Sequence, residues 1–140
     1  MRLSSLADYA VVMMSAAARA GCGARVSATT LAERTGVPLP TAQKLMQRLT
    51  GAGLLTSVRG SAGGFRLTRP AAAISLADII EAVEGPIAMT TCVDAKVGSG
   101  LRDNCALDQR CQTKAHWPII NTAVRGALAS VSLTHLAGAS

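Results

Sequence analysis

Leu39-Pro40-Thr41-Ala42-Gln43-Lys44-Leu45-Met46-Gln47-Arg48-Leu49-Thr50-Gly51, continuing after Gly53 into Leu54-Leu55-Thr56-Ser57-Val58 and on through Arg59 to Phe65-Arg66-Leu67-Thr68, decides the fold. Pro38 and Pro40 suit a helix entrance, where the missing N–H costs nothing, and are unsuited to a helix interior. The helix they open runs to Gly51, with Leu45 and Leu49 one turn apart and packed inward. After Gly53 a short apolar run reads as a strand. Phe65 to Thr68 reads as its partner, joined to it by the turn Gly60-Ser61-Ala62-Gly63-Gly64.

Upstream, a short helix is predicted from about Ala28 to Thr35, capped by Ser27, with Leu31 buried and Gly36 as its stop. Two helices, a tight turn and a hairpin make a winged helix-turn-helix. Ahead of it a first helix runs from a Ser4 or Ser5 cap to about Ala20, where Gly21 and Gly23 end it. Behind it Pro70 breaks the chain. Ser75 then caps a helix carrying Leu76, Ile79, Ile80 and Val83 on one face, ended by Gly85 and Pro86.

Met89 to Cys111 is aperiodic and contains the loop-forming Gly98-Ser99-Gly100. A last helix is predicted from about Lys114 to Val131, where Trp117, Ile120, Val124, Leu128 and Val131 form an apolar stripe. Such a stripe requires a partner, most simply the first helix of the same or a second subunit in a two-fold dimer. The fold class is therefore mainly α with a small β-hairpin wing: a winged helix-turn-helix plus a long C-terminal dimerisation helix. The expected division is 1–86 for the DNA-binding domain, 87–112 for a cysteine-containing loop, and 113–140 for the dimerisation helix and tail.

At 140 residues the chain fits one domain with an appendage. Its composition is 49% hydrophobic but only 2% aromatic, so the core must be built from Ala, Leu, Val, Ile and Met, which favours helices. The net charge of +6 points to a polyanionic partner, because clustered Lys and Arg displace the counterions condensed on nucleic acid. Ala10 to Ala18 is apolar enough to resemble a signal-peptide core. However, Asp8 and Tyr9 precede it, only Arg2 is basic before it, and its period is that of an amphipathic helix. No stretch reaches the roughly 18 apolar residues of a membrane span. A cytoplasmic location without membrane contact is expected, where thiols stay reduced.

Thr41, Gln43, Lys44, Gln47 and Arg48 place hydroxyl, amide and cationic groups near the entering end of their helix, the part that reaches base edges in the major groove. Arg59 and Arg66 flank the glycine-rich turn. Gly60 and Gly63 would let its backbone approach a phosphate or enter the minor groove of double-stranded DNA.

Cys92, Cys105 and Cys111 stand among polar and acidic residues, with twelve and then five residues intervening. That setting does not suit cysteines buried as small hydrophobes. Thiolates are soft ligands that hold zinc or iron–sulfur clusters, and this spacing lets the chain wrap a group larger than one ion. Zinc fits equally, since it accepts three cysteines and one further ligand. Cys22, between Gly21 and Gly23, is read as an unligated thiol.

The string Val58-Arg59-Gly60-Ser61-Ala62-Gly63-Gly64-Phe65-Arg66-Leu67, the opening Leu3-Ser4-Ser5-Leu6-Ala7-Asp8-Tyr9-Ala10 and the run from Ser75 to Pro86 resemble the Rrf-two (Rrf2) family of winged-helix regulators, of the IscR, NsrR and RirA type. The resemblance covers nearly the whole chain. Cys111, His116-Trp117 and the run Ala127 to Leu133 are most similar to regulators of the SUF iron–sulfur assembly operon. The resemblance implies a homodimer that holds an iron–sulfur cluster, of two or four irons, through three cysteines. It further implies binding to a palindromic promoter site and control, as a repressor, of genes for cluster assembly or iron homeostasis. Two features depart from IscR: the Cys92 to Cys105 gap is longer, and Lys114 stands where IscR carries its histidine ligand. The fourth ligand is therefore Asp8, placed like an aspartate of the NsrR type that reaches the partner subunit's cluster, or His116, five residues beyond Cys111.

Two further function classes compete with a cluster-sensing regulator. One is a zinc-stabilised winged-helix DNA-binding protein without sensing. The other is a small iron–sulfur electron-transfer protein, for which the chain offers no second cluster motif and no cofactor fingerprint. No nucleophile and base pair up in the sequence, so no catalytic residue is expected.

Overall fold

The computed structural model describes residues 2–21, 23–60, 63–90, 110, 112–113 and 115–138. Helix α1 spans Ser5–Arg19 and begins where the Ser4 hydroxyl accepts the Ala7 N–H at 3.1 Å. Ala7, Ala10, Met13, Met14 and Ala17 follow one another at spacings of three, three, one and three, and all are buried. Small residues at several of these positions let α1 lie close against its neighbours. The Ser15 hydroxyl, also buried, donates back to the Val11 carbonyl at 2.8 Å.

Helix α2 is Ala28–Thr35, capped by Ser27 and stopped at Gly36, whose φ of +80° is a conformation that glycine adopts without strain. Val37 is buried in the turn, Pro38 opens α3 at Leu39–Gly51, and Leu45 and Leu49 are fully buried. The helix-turn-helix therefore stands as the sequence predicts. Strands β1, Leu55–Val58, and β2, Gly64–Leu67, pair antiparallel with Leu55 opposite Leu67 and Val58 opposite Gly64. The sequence does not reveal a third participant: Val26 exchanges two backbone hydrogen bonds with Phe65, at 2.8 and 2.7 Å, and ties the hairpin to the segment ahead of α2.

After a 3₁₀ turn at Ala71–Ala73, helix α4 spans Leu76–Glu84 and buries Ala77, Ile79, Ile80 and Val83. It opens with a capping box. The Ser75 hydroxyl accepts the Asp78 N–H at 3.1 Å, and the Asp78 carboxylate accepts the Ser75 N–H at 2.9 Å and pairs with Arg69 at 3.1 Å. Partial burial disfavours the charge on Asp78, but the Ser75 hydrogen bonds and the Arg69 guanidinium outweigh it and hold its pKa below the ordinary carboxylate value. The native state therefore binds the proton less readily than the unfolded chain. The resulting stability is present at neutral pH and is lost as pH falls through the depressed pKa. Asp78→Ala is expected to cost about 1 kcal/mol in urea unfolding at pH 7, and the loss should shrink once the medium is acid enough to protonate the parent's carboxyl.

The C-terminal region departs from the sequence reading. Helix α5 is Trp117–Ala129, shorter than the Lys114 to Val131 expectation, because Pro118 lacks an N–H and belongs in a first turn. Beyond Ser130 the chain straightens. The Leu76 N–H donates to the Val131 carbonyl at 2.8 Å and the Leu133 N–H to the Ile74 carbonyl at 2.7 Å. A short helix α6, Leu133–Leu136, follows, and Leu133 is fully buried in the same core as Met13, Leu45 and Ile79.

Within the chain α5 packs on α4, whereas α1 packs on α4 and α6. Trp117, Asn121, Val124 and Leu128 are the half-buried positions of α5. Ile120, expected in this stripe, is instead 41% exposed beside Ile119 at 69%. A four-three-four rhythm starting at Trp117 passes through Asn121, so a polar residue occupies the inward face. Among the described residues no helix is long and apolar enough to cross a membrane.

Candidate nucleic-acid interface

The exposed face of α3 follows from its buried one. With Ala42, Leu45, Met46 and Leu49 turned into the core, Gln43, Lys44, Gln47 and Arg48 are left exposed over two successive turns, and Thr41 is half-buried at the entrance. Lys44 has no ion pair or hydrogen bond among the described residues, so its ammonium is available to a polyanion. Arg48 differs. Its Nη1 donates to the Val83 carbonyl at 3.2 Å, joining the end of α3 to the end of α4.

In the hairpin, Arg59 and Gly60 are exposed at the end of β1, and Gly60 has a φ of +130°. The Gly63 N–H closes the turn on the Gly60 carbonyl at 2.9 Å, and a Cβ at Gly63 would lie 3.0 Å from the Val58 carbonyl oxygen. Both glycines are thus required by turn geometry as well as by any approach to a phosphate. Ser61 and Ala62, at the tip, lie outside the described residues. Arg66, opposite Thr56, borders a cleft between the hairpin and the Ala18 to Gly23 end of α1. The expected DNA-facing set is therefore split between the α3 face, the Arg59 turn and an Arg66 position on the α1 side.

The four cysteines, Cys22, Cys92, Cys105 and Cys111, lie outside the described residues, and with them the thiolate part of the expected metal site. Both candidates for the fourth ligand are described. Asp8 is exposed in the first turn of α1, where Ala7 occupies the third helical position and so excludes a capping-box role for Asp8. His116 is exposed at the start of α5 and makes no side-chain capping bond.

Sequence reasoning missed Asn121. Its side chain donates to the Ile87 carbonyl at 2.9 Å and accepts the Met89 N–H at 2.8 Å, holding the chain that leads toward Cys92. The signal lay in the helical period, which reaches Asn121 four residues after Trp117.

A helix-turn-helix with a polar, cationic α3 face beside an arginine-bearing hairpin defines a winged-helix DNA-binding protein. Residues 3–139 match the Rrf2 family, described as an iron-dependent transcriptional regulator. The chain belongs to the Rrf2 family of transcription regulators. It is 35% identical over 136 residues to the HTH-type transcriptional regulator IscR of Photorhabdus laumondii, covering 97% of this chain and 79% of that protein. Among solved structures it is similar to CymR, the global cysteine regulator of B. subtilis, at 26% identity and a TM-score of 0.73, over 100% of this chain and 98% of CymR. It is also similar to IscR of T. potens, at 28% identity and a TM-score of 0.70, over 100% of this chain and 89% of that one.

Proposed function

We propose that this chain is a cytoplasmic, non-enzymatic homodimer that holds an iron–sulfur cluster and represses genes of cluster assembly or iron homeostasis from a palindromic promoter site. The fold does not choose the signal, since it resembles a cysteine regulator as closely as an IscR. The reading is carried by three cysteines in one segment behind the winged helix. Three soft thiolates plus one carboxylate or imidazole are a donor set that suits a cluster.

Cys92, Cys105 and Cys111 would supply the thiolates, and Asp8 of the partner subunit is the preferred fourth ligand because its carboxylate is exposed and outside any capping box. His116 is the second choice. The cluster supplies a site whose occupancy responds to iron, oxidants or related signals. A carboxylate ligand in place of a fourth thiolate would make that occupancy easier to change. Dimerisation is supported by the exposed Ile119 and Ile120 on α5, which leave an apolar face uncovered within one subunit.

Zinc remains the alternative occupant of the same thiolates, and one measurement separates the two. Protein purified without oxygen is expected to be brown, with visible absorption and matching iron and sulfide contents. Cys92→Ala, Cys105→Ala and Cys111→Ala should each lose the colour while keeping a folded dimer. Colourless protein containing zinc and no iron, with loss of helical circular dichroism in the cysteine variants, would instead establish a structural zinc site.

A further inference from the structure

We infer that Asn121, Glu81 and Arg48 are positioning residues that couple the chain leading to the cysteines to the DNA-reading helix α3. This rests on the regulator reading above, and its geometry lies wholly in described residues. The starting point is the strip Ile87 to Met89, which ends three positions before Cys92 in the sequence. Two helices hold that strip. Asn121 of α5 bonds Ile87 and Met89 with both ends of its amide, and Glu81 of α4 accepts the Ile87 N–H at 3.3 Å through Oε2. The other oxygen of Glu81 receives Arg125 of α5, one turn beyond Asn121, at 2.7 Å. Strip, α4 and α5 are thus bound together by charge-assisted and amide hydrogen bonds.

The second half of the path runs along α4. Two residues after Glu81, the Val83 carbonyl accepts Arg48 Nη1. Val83, Ile79 and Ile80 are buried, so this part of α4 moves as a rigid piece of core. A displacement of the strip therefore reaches α3 through about half a turn of α4 and one guanidinium. Arg48 acts here through α4, beside whatever contact its remaining N–H groups make with DNA. A cluster signal can travel this way within one subunit, with no ligand crossing the dimer.

The alternative is that Asn121 and Arg48 are two unrelated local staples. A double-mutant cycle decides between these, because distant sites with no shared partner combine additively. Metal-free parent, Asn121→Ala, Arg48→Ala and the double variant would be titrated with a duplex selected from random-sequence DNA by the parent protein. The relay predicts that the losses in affinity fail to multiply, the double variant binding at least about 3-fold tighter than the product of the singles. Strict multiplication overturns it. If Asn121→Ala does not fold, Glu81→Gln takes its place in the cycle, since it keeps the shape and one acceptor while removing the charge.

The cycle needs no cluster, so it judges the relay separately from the regulator reading. Protein reconstituted with iron and sulfide then tests the link between them. The parent should show a difference in DNA affinity between loaded and metal-free forms. In Asn121→Ala that ratio should fall to near one, with visible absorption and dimer size unchanged. A parent that binds no iron defeats the cluster reading while the cycle still rules on the relay, and an undiminished ratio in a normally coloured Asn121→Ala protein overturns the coupling.

Discussion

Lys44→Ala combined with Arg59→Ala is expected to weaken binding to the selected duplex by about 2–6 kcal/mol, or roughly 30-fold at the least. The two residues stand on separate elements, α3 and the end of β1, and share no partner, so their losses should add. Both are exposed, and neither has an intramolecular ion pair among the described residues, so the fold should survive. If Arg59 meets a phosphate, its removal alone lowers the slope of log affinity against log salt by about 0.9. Loss of a base contact by Lys44 would change sequence preference more than that slope. Anisotropy titrations at several salt concentrations check both. Unchanged affinity with an unchanged slope would remove these residues from the interface.

Helices α2, α3 and α4 were legible because their ends are written in local chemistry: Ser27 and Gly36 bracket one, the prolines open the next, and Ser75 with Gly85 bracket the third. The hairpin was legible for the same reason, its turn being dense in glycine. What escaped depends on contacts distant in sequence. The Val26 bridge to Phe65 is a single residue with no strand pattern of its own. Helix α6 is only four residues long, and its place is set by Leu133 entering a core assembled from α1, α3 and α4.

The stripe on α5 was misread by one residue because Ile120 fits an apolar pattern better than Asn121. The inward face was set instead by Asn121 meeting the Ile87 and Met89 backbone. A polar side chain there is stable because both ends of its amide are satisfied. The exposed face of α3 was legible almost residue for residue, since it is what remains once Leu45 and Leu49 are buried. Arg48 is the exception. Its bond to Val83 depends on where α4 ends, 35 positions away.

Gly64→Ala should be the most disruptive single-methyl change in the wing, destabilising the protein by about 1–3 kcal/mol and weakening DNA binding with it. Gly64 opens β2 directly opposite Val58, and its backbone runs beside the segment at Val26. A Cβ added there would lie 2.8 Å from the Val26 carbonyl oxygen and 3.3 Å from its carbon, inside ordinary contact. Because the obstacle is backbone, no rotamer change relieves the clash. Either Val26 or the hairpin must move, stretching the 2.8 and 2.7 Å bonds that Val26 and Phe65 exchange. Those bonds tie the hairpin to the segment ahead of α2, so the wing would shift relative to the helix-turn-helix and misplace Arg59. Gly51→Ala is the matching control: it sits at the end of α3 with nothing within 4 Å of an added Cβ, and should be neutral or slightly stabilising. Thermal unfolding followed by circular dichroism, paired with a DNA titration, checks both variants. Parent-like melting and affinity in Gly64→Ala would show that the Val26 contact does not hold the wing in place.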